Sequence, residues 1–345
     1  MEVDLKFAVL GTGFWSQFQI PAWYQVGGVE LVAVYNRTVA KAEAIARKFN
    51  IPRVYADPEA LFKNEQLDFV VIITEVPAHA YMVSLAAQYG VPVICQKPMS
   101  TDFASCQRMV RVCEEAGAPF LIHENFHWQA PIRKLKEMLD SGVIGKPFRA
   151  RIQWASKVDY HNQLYVKTLE HLILTDLGSH LLDLARFLFG ESHSLYCQHL
   201  HVAADLHGKD VDTISLHYGD LICYCEMSFS TLTELDTYPE TFFYIEGSTG
   251  TLELAADYWI RLTTEQGTLS RRYPPPHYPS ADPCYEVAYA SIVPCNADLL
   301  NAIQTGKPAE TSARDNLKTM QLVFAAYESA LSNQVIPIEK EVSMR

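Results

Sequence analysis

Three groups of residues have the types and spacing to do chemistry. Gly11-Thr12-Gly13-Phe14-Trp15-Ser16 follows a short apolar run and precedes a helical pattern, matching the G-x-G-x-x-G turn at two glycines and placing Ser at the third, small position. Gly11 permits the tight turn and Gly13 lets backbone approach a pyrophosphate. The helix entered through Phe14 and Trp15 offers unpaired N–H groups and a favourable dipole to the anion. Glycine turns after strands are common, so the position between a first strand and a helix is what points to a dinucleotide. Gln96-Lys97-Pro98 forms the second group, at the carboxyl end of a short Val/Ile run, where ligands of parallel sheets usually lie. The third is Asp176, His180 and Asp183 within the helical pattern Leu169 to Phe189; steps of ~100° per residue set the three within about 60° of one another. An imidazole with an ordinary pKa of ~6.5 suits reversible proton exchange. A nucleotide cradle, an amine and a proton-exchanging face are the parts that hydride transfer at a carbinol carbon requires.

The elements that must position these groups alternate. Leu5 to Leu10, Glu30 to Tyr35, Asp68 to Thr74, Val91 to Cys95 and Phe120 to His123 read as strands, and Val39 to Phe49, His79 to Tyr89 and Phe103 to Ala116 as helices between them. Near-continuous apolar strands are buried on both faces, which implies a doubly wound parallel sheet with right-handed crossovers. Beyond residue 124 the pattern changes. Phe148 to Ser156, Ser194 to His201, Asp212 to Tyr218, Leu221 to Phe229, Phe242 to Glu246, Thr251 to Leu254 and Tyr258 to Thr263 read as strands, several clearly alternating, with the Leu169 to Phe189 helix among them. We therefore expect an α/β protein of two domains, 1–124 and 125–345, the second built on a large, mostly antiparallel sheet. Glu286 to Ile303 and Ser312 to Leu331 read as helices, most simply core packing, and Pro274-Pro275-Pro276 as a stiff loop.

Composition narrows the function classes. The 345 residues are 49% hydrophobic and 20% charged, with 28 Lys plus Arg against 40 Asp plus Glu and a formal net charge of −12. Two hydrophobic cores are affordable at this length without staples. The negative balance, with no basic run to reverse it locally, argues against nucleic-acid and membrane-surface partners. No apolar run approaches the ~20 residues of a membrane span, and no signal peptide is evident. The eight cysteines form neither a CxxC nor a Cys/His cluster, so we expect reduced thiols, no metal site and a cytoplasmic setting. The second strand ends Tyr35-Asn36-Arg37, about twenty residues past the glycines, where an NAD-selective site usually carries an acid. Asn36 can bond ribose hydroxyls and Arg37 can stack on adenine or meet a 2′-phosphate, so NAD and NADP both stay open.

Taken with Thr74-Glu75-Val76-Pro77-Ala78-His79, Gln96-Lys97-Pro98, Ser141 to Pro147, Asp176 to Asp183 and Ile245 to Thr251, the glycine turn makes an ordered set. That set resembles the glucose-fructose oxidoreductase, inositol dehydrogenase and MocA family, Gfo/Idh/MocA. The resemblance implies an N-terminal Rossmann domain and a C-terminal open-sheet domain through which members often form homodimers or homotetramers; apolar side chains on the far sheet face would favour that burial. It implies cofactor contacts at Gly11, Thr12, Gly13, Phe14, Trp15, Asn36, Arg37, Thr74, His79, Gln96 and Lys97. Lys97 would contact the substrate, with burial and a neighbouring oxidised nicotinamide disfavouring its ammonium form. Where the family has Glu before this Lys, the chain has Gln96, which keeps hydrogen bonding to a ribose but removes a negative charge beside Lys97. His180 is then the general base in oxidation, Asp176 holds substrate and favours the imidazolium, and Asp183 orients the His or anchors the helix.

Substrate-side residues come with weaker signals. Asn125 and His127 lie where many relatives have Asn followed by Arg, and Trp154, Lys157, Tyr160, His161 and Gln163 lie in loops that contact substrate in relatives. Their aromatic and hydrogen-bonding character suits a small carbohydrate or polyol. The expected activity is an NAD(P)-dependent dehydrogenase acting on a CH–OH group. The Gln-Lys-Pro, Asn-Phe-His-Trp-Gln and Thr-Asp-Leu-Gly-Ser-His segments are also similar to a branch that oxidises free aldoses, apiose dehydrogenases among them. Two alternatives are a glycosidase of the same fold that uses NAD transiently and a cofactor-binding regulator without a reaction; retention of Lys97, Asp176 and His180 argues against the latter.

Overall fold

A computed structural model describes residues 4–157, 167, 169, 172–233, 241–339 and 342. Its contacts divide into two compact units. One holds the chain through Glu124 together with Ile292–Met320; the other holds Asn125–Ser291 and the segment from Gln321. The expected single boundary after residue 124 places all later residues in the second domain, whereas the contacts give 292–320 to the first unit. The return of 292–320 to the first unit has a local cause: Ile122 donates its N–H to the Thr311 carbonyl at 2.9 Å, Leu121 bridges Ser312, and Arg314 pairs with Glu114 through two bonds of 2.7 and 2.8 Å.

In the first unit six strands, β1 (Leu5–Leu10), β2 (Val29–Tyr35), β3 (Arg53–Tyr55), β4 (Phe69–Ile72), β5 (Val93–Gln96) and β6 (Phe120–His123), form one parallel sheet in the order β3-β2-β1-β4-β5-β6. This is the expected doubly wound sheet. Helices α1 (Ser16–Val26), α2 (Val39–Phe49), α3 (Pro58–Asn64), α4 (His79–Gln88) and α5 (Phe103–Ala116) connect them. The strands are apolar throughout because neither face meets water: Phe7, Ala8, Val9 and Leu10 are all fully buried, and the Phe7 ring stacks on Phe69 at 4.9 Å beside Trp23. Side-chain caps set where helices begin. Asp57 accepts from the N–H groups of Glu59 and Ala60 at α3, and Asp102 from Ser105 N–H at 2.7 Å at α5.

The second unit holds α6 (Ala130–Asp140), α7 (Ser179–Phe189) and a nine-stranded sheet. Its strands are β7 (Pro147–Ala155), β8 (Ser194–Leu200), β9 (Val211–His217), β10 (Ile222–Ser228), β11 (Phe242–Gly247), β12 (Gly250–Ala255), β13 (Trp259–Thr264), β14 (Gly267–Arg272) and β15 (Ile336–Pro337), in the order β14-β13-β12-β11-β7-β10-β9-β8-β15. Every pairing is antiparallel except β7 with β10. Strand β14 carries no apolar signal, being exposed along its whole length, and escaped the sequence reading. The division of the chain falls within the two long helices α8 (Glu286–Thr305) and α9 (Ala313–Ser332).

Alternation puts Ala150, Ile152 and Trp154, Cys223, Cys225 and Met227, and Phe243 and Ile245 on one sheet face, packed with Leu181, Leu182 and Ala185 of α7. The far face is not a continuous apolar surface. Cross-strand ion pairs Arg149–Glu246, Arg151–Glu226 and Arg261–Glu253 cover much of it, with Tyr224, Tyr244 and Trp259 between them. The Ser141 to Pro147 and Ile245 to Thr251 segments turn out to hold each other: Lys146 and Ser248 exchange backbone and hydroxyl bonds of 3.0 Å, and Thr249 N–H reaches the Ile144 carbonyl at 2.9 Å. A Cβ at Gly247 would lie 2.2 Å from that carbonyl oxygen, so these motifs serve packing.

Candidate active site

In the first unit the glycine loop is fixed by its neighbours' backbones. Gly11 N–H donates to Tyr35 O at 2.8 Å, its φ is +104°, and a Cβ there would come within 2.6 Å of the Ile73 carbonyl. Only glycine fits. At Gly13 a Cβ would meet nothing within 4 Å, which leaves an open cradle at the start of α1. Asn36 donates its Nδ2–H to Thr12 Oγ1 at 2.7 Å and accepts at Oδ1 from Thr38 N–H at 2.8 Å, so it braces the loop and keeps only part of its amide for a ribose. Phe14 and Trp15 pack on Phe18 at 5.2 and 5.5 Å between centroids, and Arg37 is exposed.

Across the sheet ends, the Thr74 hydroxyl is buried without a hydrogen-bond partner. His79 is fully buried, its ring nitrogens against the carbonyls of Thr74 (3.1 Å) and Met99 (3.3 Å), and burial holds its pKa below the ordinary imidazole value. It therefore holds the loop after β4 against the one after β5, a correction to its expected role as a direct cofactor contact. Gln96 and Lys97 are half-buried at the end of β5, and Gln96 Nε2 lies 3.3 Å from His123 Nδ1 on β6. The fit of a dinucleotide to this unit rests on the Gly13 cradle and the orphaned Thr74 hydroxyl. Gly11, Thr12, Gly13 and the start of α1 would hold its phosphates, and Thr74, Gln96 and Lys97 its nicotinamide end.

In the second unit α7 and the turn before it carry the residues expected to handle protons. His180 is 5% exposed and its ring lies flat on Phe126, 3.6 Å between centroids at 9°. Asp183 ties α7 to the turn before α6: its Oδ2 lies 2.7 Å from Nδ1 of His127, and both side chains are buried. His127 also stacks on Phe187 at 4.9 Å, so the expected substrate contact is tied into the packing beside α7. Asp176 sits, half-buried, in a π-wound turn over Leu174–Gly178. The uniform 100° step that aligned it with His180 fails through this turn, although such turns are frequent at functional sites. Asn125 donates its Nδ2–H to Ser291 Oγ at 2.6 Å. Trp154, expected near substrate, is 2% exposed and packs edge-on against Phe229 in the core. Lys157 is exposed, and Tyr160, His161 and Gln163 lie outside the described residues.

Sequence reasoning missed Phe126, whose place under His180 depends on where α7 passes the turn after β6. It also missed Asp212, buried at 1% on β9 with neither carboxyl oxygen hydrogen-bonded. Burial first, then the neighbouring Asp210, pushes its pKa up to about 8.

A doubly wound domain with this glycine turn, followed by an open, mostly antiparallel sheet packed against a helical segment that carries Asp176 and His180, describes an NAD-dependent oxidoreductase of two-domain type. Residues 5–124 match the oxidoreductase family with NAD-binding Rossmann fold, and residues 132–253 match the GFO/IDH/MocA C-terminal domain, so the chain belongs to the Gfo/Idh/MocA family. Among its relatives are a D-apiose dehydrogenase of Paraburkholderia graminis, 37% identical over 97% of this chain and 90% of that one, and a D-apiose dehydrogenase of Rhizobium rhizogenes, 36% identical over 97% and 98%. An oxidoreductase from Agrobacterium radiobacter, solved with NAD+, L-tartaric acid and magnesium, superposes with a TM-score of 0.95 at 36% identity, covering 97% of this chain and 98% of that one.

Proposed function

We propose that the chain oxidises a ring or terminal carbinol of a small free aldose with NAD, D-apiose being the first substrate to test. The observation that carries this reading is the likeness, over nearly the whole length, to two D-apiose dehydrogenases. When bound, the dinucleotide supplies the hydride acceptor. The chain's own residues bind, orient and exchange protons. Lys97 donates a hydrogen bond to the substrate oxygen, which favours the alkoxide character that develops as hydride leaves. His180 accepts the hydroxyl proton, its ring held in plane by Phe126. Asp176 holds a second hydroxyl and steadies the imidazolium that results. The Asp183–His127 pair fixes the face of α7 from which His180 projects.

A homodimer or homotetramer formed through the far sheet face is the assembly that suits its composition, since half-exposed Tyr, Trp and Arg are the residues enriched at interfaces. Among the described residues no helix is long and apolar enough to cross a membrane. Eight free thiols, seven of them buried, suit a reducing cytoplasm.

Absorbance at the reduced-nicotinamide band, with NAD or NADP against D-apiose, other aldoses, polyols and inositols, tests the reading. A rise with NAD and an aldose is expected. A rise confined to inositols would overturn the substrate class, and turnover of a glycoside with no net absorbance change would replace the dehydrogenase by an NAD-using glycosidase.

A further inference from the structure

The last rung of the β5–β6 ladder pairs Gln96 with His123, so the two side chains leave the sheet on the same face. Gln96 Nε2 lies 3.3 Å from His123 Nδ1, and His123 Nε2 lies 3.0 Å from Oδ1 of Asn296 on α8. His123 is 1% exposed and Asn296 is fully buried. The directions of these bonds follow from chemistry. A carboxamide oxygen can only accept, so His123 Nε2 carries the hydrogen; the neutral ring then presents a lone pair at Nδ1, and the Gln96 amide must donate to it. One N–H of Gln96 is thereby committed, while its oxygen and second N–H are left for a ligand.

The scaffold behind the chain of bonds is rigid. Besides the Ile122–Thr311 bond, Cys295 Sγ reaches the Glu124 carbonyl at 3.6 Å, next to Asn296 in sequence. Asn296 uses its Oδ1 to satisfy the buried His123 N–H, while its Nδ2 is buried without a hydrogen-bond partner.

We propose that His123 and Asn296 are positioning residues that fix the Gln96 carboxamide in one orientation toward the nicotinamide dinucleotide. This rests on the dinucleotide reading of the first unit. It also accounts for Gln where the family carries Glu: a carboxylate at 96 would face the Nδ1 lone pair, whereas an amide N–H matches it. The identity of residue 96 and the His123–Asn296 pair form one feature of the site.

The test is titration of NADH by fluorescence, with KM for NAD and kcat measured alongside and thermal unfolding as a control, above the ordinary imidazole pKa of ~6.5. His123→Gln keeps an N–H for Asn296 but has no acceptor at the Nδ1 position. It should weaken NADH binding and raise KM for NAD by roughly five- to ten-fold, the value of one hydrogen bond, with kcat at saturation unchanged. Gln96→Ala should weaken NADH binding and raise KM for NAD at least as much, and the double variant should bind NADH no worse than Gln96→Ala alone. From the far end, Asn296→Asp keeps the acceptor and should retain affinity, while Asn296→Leu should lose it, so the test survives if His123→Gln folds poorly. Multiplying effects in the double variant, or affinity in His123→Gln equal to wild type, would overturn the positioning role alone. A wild-type chain that binds no NADH would overturn the dinucleotide reading and this proposal together.

Discussion

The candidate cofactor residues of the first unit are backbone and neutral amides, and the candidate proton-handling residues of the second are imidazole and carboxylate side chains on one helical segment. The Gly11–Gly13 loop is shaped by contacts of main chain with main chain, at Tyr35 O and Ile73 C, and its fit is a question of where atoms are missing. The α7 site is shaped by ring packing and a buried bond: Phe126 under His180, and Asp183 against His127. Binding a large, invariant cofactor rewards a surface of fixed dipoles. Proton transfer at a variable substrate rewards titratable groups whose environments can be tuned.

Substitutions in each unit should therefore fail in different ways. His180→Ala is expected to lower kcat by about 10²–10⁴-fold while NADH titrates as in wild type, because the proton acceptor is lost and the cradle is untouched. A parallel loss of NADH affinity would break the division of labour. Gly13→Ala should do the reverse: its methyl enters open space in the protein alone, so the melting temperature should hold while NADH binding falls ten-fold or more, about 1.4 kcal/mol or above.

Asp183→Ala tests the second unit as packing. Leaving the buried His127 nitrogen without its carboxylate should cost about 2–3 kcal/mol in denaturant unfolding, and unchanged stability would refute the anchoring role. A pH-dependent effect is expected from Asp212→Asn. The Asp212 carboxyl rises from 3.8 to about 8 on folding, so between those values the native state holds a proton that the unfolded chain has released. Stability from this group is thus present in acid and is lost as pH rises toward 8. The Asn variant lacks that slope, so its advantage in melting temperature should grow from pH 5 to pH 8; an advantage independent of pH would mean the carboxyl titrates normally.

How much of this could be read beforehand differs between the units for the same reason. The strand bounds Leu5–Leu10 and Phe120–His123 and the helices Val39–Phe49 and Phe103–Ala116 follow from local periodicity, which buried parallel strands and amphipathic helices write plainly. Edge strand β14 writes nothing, because it buries nothing. Asp183 reads from sequence as orienting His180 or anchoring its helix; the bond to His127, fifty-six residues away, is one that no local pattern carries. His79 carries a cofactor contact only by the family resemblance, and its burial is that of a structural post.

The sequence by itself determined the order of strands and helices, the glycine loop, Lys97 after its strand and the presence of Asp176 and His180 on one helix, since each depends on residues near one another in the chain. Only the tertiary structure decided that Asn296 stands behind His123, that Phe126 underlies His180, that Asp176 rides a π turn, and that the far sheet face is charged. Those outcomes depend on which distant side chains compete for one buried volume and one set of hydrogen bonds, and that competition is settled only when the elements pack.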